Sequence, residues 1–414
     1  MNVNICEDPR MERLRVENLQ VIFKVVERCN INCEYCYYFN MGEDGAKQRP
    51  ATVSNAVTEG LAKFLGEGCR DLGIKKVHIA FHGGEPMMLK PRNFEKVCEE
   101  LSRALTPVAE VNFAIQTNGT VLSEDWLELF ERYHINVGVS IDGEREVHDR
   151  FRLNHAGRST FDRTVSNLRT LVEWADRIGR PRPSTISVMH SDVDYRRQYR
   201  FLRSLGVTKM SFLLPDRSYD EATGLAGSNV PHEFGARLNE LFDAWFDEDN
   251  LEVSVRQIES VMQHFQVGQR FSTGRSEKSE QESRDFQVIV AQSDGSVTVD
   301  DCFIPAHDWY SAIKAPAAGD ISLSKFLSRC EFEEIDKHLS EAPIKCRSCE
   351  WLGVCGSGEL AHRYSKENGF SNPSPYCEAY LENFDHIRAR LISDGYPEAA
   401  LNERLRSSRI RLKG

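Results

Sequence analysis

The sequence predicts an α/β fold in which a partial (β/α)6 barrel is followed by a cysteine-rich C-terminal domain. Three observations carry this expectation. Six strand-like apolar runs alternate with helical stretches between Leu19 and Leu214, six of the twelve cysteines fall into two tight groups, and regular periodicity fades around the second group. The candidate strands are LQVIFKVV, KVHIAF, VNFAIQT, INVGVSI, STISVMH and KMSFLL. Between them Ser54–Leu65, Phe94–Ala104, Glu124–Tyr133, Thr160–Arg177 and Tyr195–Leu205 carry apolar residues at helical spacing. Repeated βα units make the strands parallel, and right-handed crossovers bend such a sheet toward a barrel or an open part-barrel. Ligands of such sheets sit at the carboxyl ends of the strands.

The expected organisation is an N-terminal extension over 1–17, the barrel over 18–230, a helical bridge and polar loop over 231–285, the cysteine-rich domain over 286–380 and a helical tail over 381–414. The polar stretch STGRSEKSEQESRD suits an exposed loop. FQVIVAQ and SVTVDDCF then flank Asp294-Gly295, a dipeptide that favours a tight hairpin turn.

A chain of 414 residues exceeds what one core usually organises. With 40% hydrophobic and 28% charged residues it has the composition of a soluble globular protein. No apolar run of about eighteen residues occurs, and the first residues lack the apolar middle of a signal peptide. A cytoplasmic protein without a membrane partner is expected. The formal charge of −11 gives no reason to expect nucleic acid, and the basic tail RLRSSRIRLKG reads as a solvated terminus. Disulfides do not persist in a reducing cytosol, so the clustered cysteines point to metal or catalytic thiolates. The isolated Cys6, Cys69 and Cys98 read as small buried hydrophobes.

The first cluster follows the first strand as ERCNINCEYCYYFN, which spaces Cys29, Cys33 and Cys36 as C-x3-C-x2-C. Three thiolates suit three irons of a [4Fe–4S] cube and leave the fourth iron open, whereas a closed zinc site needs a fourth, distant ligand. The loop, with aromatic Tyr35 before its last cysteine, resembles the signature of the radical S-adenosylmethionine (SAM) superfamily. That resemblance implies an open iron that chelates the amino and carboxylate groups of SAM, and reductive cleavage to a 5′-deoxyadenosyl radical. His82-Gly83-Gly84-Glu85-Pro86, after the second strand, resembles the family's GGEP element, which implies that it holds the methionine amino group. Gln116-Thr117-Asn118-Gly119 and Ser140-Ile141-Asp142-Gly143 end the third and fourth strands. The resemblance places Gln116, Asn118, Ser140 and Asp142 toward the cofactor, Ser140 and Asp142 at its ribose, and Arg152 at its carboxylate. It covers about residues 18–215.

The second cluster reads Cys346-x2-Cys349-x5-Cys355 with a later Cys377. Four thiolates close either a zinc site or a fully ligated [4Fe–4S] cube, and spacing does not decide between them. Placed after such a barrel, the motif resembles the SPASM domain, which implies an auxiliary [4Fe–4S] cluster on these four residues. Two ligands of the family's barrel-proximal auxiliary cluster are absent, because Ser324 and Glu359 stand in their places. Only Cys302, with Cys330 as an irregular partner, remains for such a cluster.

SPASM enzymes modify peptides or proteins. CNINCEYCYYFN, RPATVS and FHGGEPMM are most similar to maturases of the XYE and darobactin types. That resemblance implies β-hydrogen abstraction and an aromatic-to-β-carbon cross-link, cyclophane or ether, in a precursor peptide that carries a leader. Flavodoxin or ferredoxin is the expected low-potential electron donor. The alternatives are a formylglycine-generating enzyme of the sulfatase-maturase kind, another SPASM peptide-modifying (thioether-forming) enzyme, or a non-enzymatic metal-binding protein. Ser324-Lys325 replaces the cysteine and aspartate base of sulfatase maturases and weighs against the first of these. Glu359, His362 and Asp301 are the candidate bases. Only 28 residues precede Cys29, too few for a leader-recognition domain, so leader binding is expected elsewhere, with an exposed sheet edge as one physical mode.

Overall fold

A computed structural model of the chain describes residues 16–42, 45–224, 230–265 and 286–411, with side chains through residue 406. Most of the expected N-terminal extension, the polar loop 272–285 and the end of the basic tail lie outside the described residues. The chain divides into two compact units that interleave along the sequence. The first comprises 1–141, 149–183 and 278–336, and the second 142–148, 184–277 and 337–414.

In the first unit, strands β1 (Asn18–Val26), β2 (Lys76–Gly83), β3 (Glu110–Thr117) and β4 (Asn136–Ser140) pair in that order, all parallel. Helices α1 (Asn55–Leu72), α2 (Pro91–Leu105) and α3 (Glu124–Arg132) connect them, and α4 (Phe161–Ile178) follows β4. The helices were legible because each strand buries alternate residues against them. Phe81 of β2 packs on Phe94 of α2 with ring centroids 4.6 Å apart, and stacks on Phe113 of β3 at 5.5 Å. The other face of β2, with His78, Ala80 and His82, is half-buried and polar, which is the period-two signature of a strand between a helical layer and a concave interior. Lys24 of β1 is in register with His82 and lies on that same inner face.

The predicted hairpin forms from β8 (Phe286–Ala291) and β9 (Val297–Val299), with Gly295 at φ +87° in its turn. Its place in the sheet was not legible: β8 runs parallel to β1 from Asn18↔Phe286 to Phe23↔Ala291. A downstream hairpin thereby extends the sheet on the open side of β1. The short helix Leu323–Leu327, which contains Ser324 and Lys325, packs on α1 in the same unit, where Gly68 leaves room for Leu323.

In the second unit, β5 (Ser184–Val188), β6 (Lys209–Leu213) and the two-residue β7 (Ser254–Val255) pair in parallel. Helices α5 (Tyr195–Ser204), α6 (Phe234–Glu248), α7 (Arg256–Phe265) and α8 (Cys377–Ser393) belong to it. The region after residue 337 is built around Trp351, buried between Phe265 of α7 at 5.9 Å and Phe384 of α8 at 5.5 Å. Among the described residues no helix is long and apolar enough to cross a membrane.

Candidate active site and auxiliary cysteine cluster

The first cysteine loop is fastened at every turn. Its short strand Ile31–Cys33 pairs antiparallel with Arg152–Asn154, so that Cys33 faces Arg152. The Arg152 guanidinium donates to the Tyr35 hydroxyl at 2.8 Å, and Tyr35 packs on Phe151. Asn118 donates to Asn30 at 2.8 Å and to the Cys29 sulfur at 3.7 Å, while a His155 ring nitrogen lies 2.9 Å from the Cys29 carbonyl. None of Cys29, Cys33 and Cys36 is in a disulfide.

Gly83 and Gly84 bring the end of β2 against this loop. A Cβ at Gly83 would lie 2.0 Å from the Val26 carbonyl oxygen, and one at Gly84 would lie 2.1 Å from that of Arg28. The Gly84 and Glu85 amides donate to those same two carbonyls at 2.7 and 2.9 Å. Only residues without a side chain permit that approach. Glu85 is fully buried and accepts from Thr117 Oγ1 at 2.7 Å, the Asn118 amide at 2.7 Å and the Met87 amide at 3.0 Å. Three of roughly four acceptor sites of a carboxylate are thus taken within the chain. Glu85 braces the ends of β2 and β3 together, and Pro86 opens the turn that follows.

The cofactor-facing residues expected from sequence fall in two places. Gln116 donates to Ser140 at 2.8 Å at the carboxyl ends of β3 and β4 in the first unit. Asp142 belongs to the second unit, where its carboxylate accepts from the Val188 amide at 3.3 Å.

Sequence reasoning missed a buried polar cluster beside the loop. Lys24, fully buried, forms an ion pair with Asp301, lies 3.4 Å from His82 Nδ1 and sits 4.3 Å above the Tyr38 ring. Asp301 also accepts from the Tyr37 hydroxyl at 3.0 Å. Tyr38 donates to Glu27, whose carboxylate also accepts from the Ser293 amide at 3.3 Å. The signal that could have found it is a lone lysine on the inner face of LQVIFKVV and a histidine at the matching place before GGEP. Burial alone would raise the Asp301 carboxyl, but the Lys24 charge, with the hydrogen bond from Tyr37, outweighs it and holds it below its ordinary value. Asp300 is pushed up to about 6 by burial and by the charge of Asp301. Burial, helped by the Lys24 charge, lowers His82 to about 3.

The four cysteines of the second group, Cys346, Cys349, Cys355 and Cys377, are all free of disulfides and all in the second unit. Burial, followed by the charges of the other three, pushes Cys355 up to about 12, and burial first, with Cys33 and Cys36 among the lesser causes, does the same to Cys29. Buried thiols of this kind ionise when a cation neutralises them, which is the chemistry of metal ligation. Both groups thus have the thiol chemistry of metal ligands. Cys302 is an exposed free thiol, and Cys330 opens the helix Cys330–Ser340. Of the three candidate bases, Asp301 lies in the polar cluster, while Glu359 and His362 lie together in the second unit.

Residues 23–177 match the Radical SAM superfamily. The cysteine-type anaerobic sulfatase-maturating enzyme of Clostridium perfringens is 24% identical over 372 residues, which span 88% of this chain and 95% of that enzyme. A solved structure of native anSMEcpe with bound AdoMet superposes with a TM-score of 0.74 at 23% identity, covering 91% of this chain and 98% of that one. The same enzyme has been solved with AdoMet and the Cp18Cys peptide. Streptococcus suis SuiB bound to its precursor peptide SuiA matches with a TM-score of 0.55 at 16% identity, covering 88% of this chain and 74% of SuiB.

Proposed function

We propose, from the premise that this chain is a radical SAM enzyme with SAM and [4Fe–4S] cofactors, that it is a maturase which oxidises a side chain of a peptide or protein segment. The observation that carries the reading is the three-thiol loop, cinched by Asn118 and Arg152 and docked on the two GGEP glycines. Bound there, the cluster and SAM supply a 5′-deoxyadenosyl radical able to take a β-hydrogen from the substrate. The chain's own residues prepare the place. Arg152 and Tyr35 hold the loop's last turn, Glu85 fixes the ends of two strands, and Gln116 and Ser140 present polar groups at the strand ends. Asp301, held as a carboxylate by Lys24, is a poor proton acceptor. Asp300, beside it, is raised to about 6 by burial and by the Asp301 charge, and its carboxylate accepts from the Cys302 amide at 3.0 Å. Cys346, Cys349, Cys355 and Cys377 would hold an auxiliary cluster, which would offer an electron acceptor there, and a flavodoxin or ferredoxin is the expected low-potential donor.

The relatives reverse the order of the two readings expected from sequence. Relatives matched over most of both chains include cysteine-type and serine-type anaerobic sulfatase-maturating enzymes, which favours formylglycine formation over an aromatic cross-link. A cross-linking reading stands second because of one observation: Ser324 and an exposed Lys325 occupy the short helix on α1 where that chemistry expects a cysteine and an aspartate. A single anaerobic assay separates them. With dithionite and SAM, the Cp18Cys peptide should lose its thiol and gain a hydrazide-reactive aldehyde. Loss of two hydrogens from an aromatic precursor peptide, with Cp18Cys untouched, would instead select the cross-linking reading. Neither peptide changing, while 5′-deoxyadenosine accumulates, would defeat both.

A further inference from the structure

We propose that Asp216, Glu359 and His362 form a binding site for one divalent first-row metal ion of the zinc type, separate from the cysteine clusters. A ligand atom of each residue lies within 4.8 Å of those of the other two. The second observation is the imidazole. His362 is buried at 2% exposure, yet among the described residues neither ring nitrogen has a hydrogen-bond partner. Its Nε2 points at Asp216 Oδ1 from 3.6 Å, beyond hydrogen-bond reach. Two ligands of a tetrahedral zinc, each about 2.1 Å from the metal, stand about 3.4 Å apart, so the spacing suits an intervening cation better than a direct contact.

The surroundings hold the three groups in place. Tyr376 packs its ring on His362 with centroids 5.3 Å apart and donates its hydroxyl to the Pro215 carbonyl at 2.8 Å, one residue before Asp216. Asn372 donates to the Arg363 carbonyl at 2.9 Å, and the Arg363 guanidinium donates to the Asn372 carbonyl at 3.1 Å, which stiffens the turn that carries His362. The Tyr219 amide donates to the Tyr364 carbonyl at 2.8 Å and ties the segment after Asp216 to the segment after His362. One imidazole and two carboxylates form a mixed nitrogen–oxygen donor set that suits zinc, manganese or ferrous iron better than magnesium or calcium. His362 is buried, Asp216 is partly exposed and Glu359 is exposed, so one side of the site stays open to a water or an exogenous ligand.

The full-length chain, reconstituted anaerobically with its clusters and passed over a chelating resin, is titrated with Zn2+ alone, and bound zinc and iron are measured together by mass spectrometry. One zinc per chain beyond the cluster iron is expected. His362→Gln and Asp216→Asn should each weaken zinc binding by more than about tenfold with iron content unchanged. Glu359→Gln, at an exposed position that folding tolerates, should weaken it as well. Zinc uptake that is absent in the parent, or equal in parent and variants, overturns the site. Loss of iron in Glu359→Gln also overturns it, since Glu359 would then belong to an iron–sulfur cluster. Mn2+ gives an independent readout through the broadening of its free-ion EPR signal on binding, which the parent should show and His362→Gln should not.

Discussion

Replacing Lys24 with methionine removes a buried ammonium from Asp301 while keeping most of the side-chain volume. Both groups are almost fully excluded from water, with side-chain exposures of 0% and 4%, and Asp301 also accepts from the Tyr37 hydroxyl. Breaking a buried pair from one side costs about 3–5 kcal/mol, because it strands the other charge. The protein has one escape, which is to protonate Asp301. From an ordinary Asp value that costs about 1.4 kcal/mol per pH unit, so roughly 4 kcal/mol at pH 7 and roughly 1.5 kcal/mol at pH 5. Lys24→Met should therefore lose about 3–4 kcal/mol at pH 7, and the deficit should shrink as the solution is acidified toward pH 5. Adding Asp301→Asn removes the stranded charge and should recover more than half of the loss. Anaerobic urea unfolding followed by tryptophan fluorescence at several pH values reads all three quantities. A single variant that costs under about 1 kcal/mol, or a double variant no better than the sum of its parts, would refute the ion-pair account.

Two further predictions follow from the same region. Gly84→Ala places a methyl group 2.1 Å from the Arg28 carbonyl oxygen and 2.7 Å from the Cys29 amide nitrogen, so the backbone of the cysteine loop must move. Iron should fall by the content of one cluster and 5′-deoxyadenosine production should cease, while far-UV circular dichroism is kept; a fully loaded, SAM-cleaving variant would contradict the docking role. His82 stays neutral in the fold down to about pH 3, whereas an exposed histidine takes up a proton near 6.5. Between those values the unfolded chain binds the extra proton, so this residue makes stability fall by about 1.4 kcal/mol per unit as pH drops below 6.5. His82→Gln should flatten that slope between pH 6.5 and 5.5, measured by urea midpoints, and an unchanged slope would remove His82 as its source.

The legible part of this protein was the part encoded over short stretches. The inner and outer faces of KVHIAFHG follow from period-two alternation, the Asp294-Gly295 hairpin follows from backbone preference, and the C-x3-C-x2-C spacing gathers Cys29, Cys33 and Cys36 into one loop after β1. The GGEP glycines were also legible as sites of close approach, although not what they approach. Each of these depends on neighbours within a few residues, which is why sequence suffices for them.

Tertiary structure decided the pairings that chain connectivity does not constrain. Lys24 meets Asp301 only because β8 runs parallel to β1 and delivers the following hairpin and loop to the inner face of the sheet. Glu85, expected to face an ammonium group, also accepts from Thr117, Asn118 and Met87, since a buried carboxylate needs the donors that the ends of β2 and β3 supply. His362 meets Asp216 across some 146 residues, a distance over which no local pattern carries information. The alternation of apolar residues settles which strands form and which faces they bury; the electrostatics of the site depends on which strands become neighbours, and that is a property of the packed sheet alone.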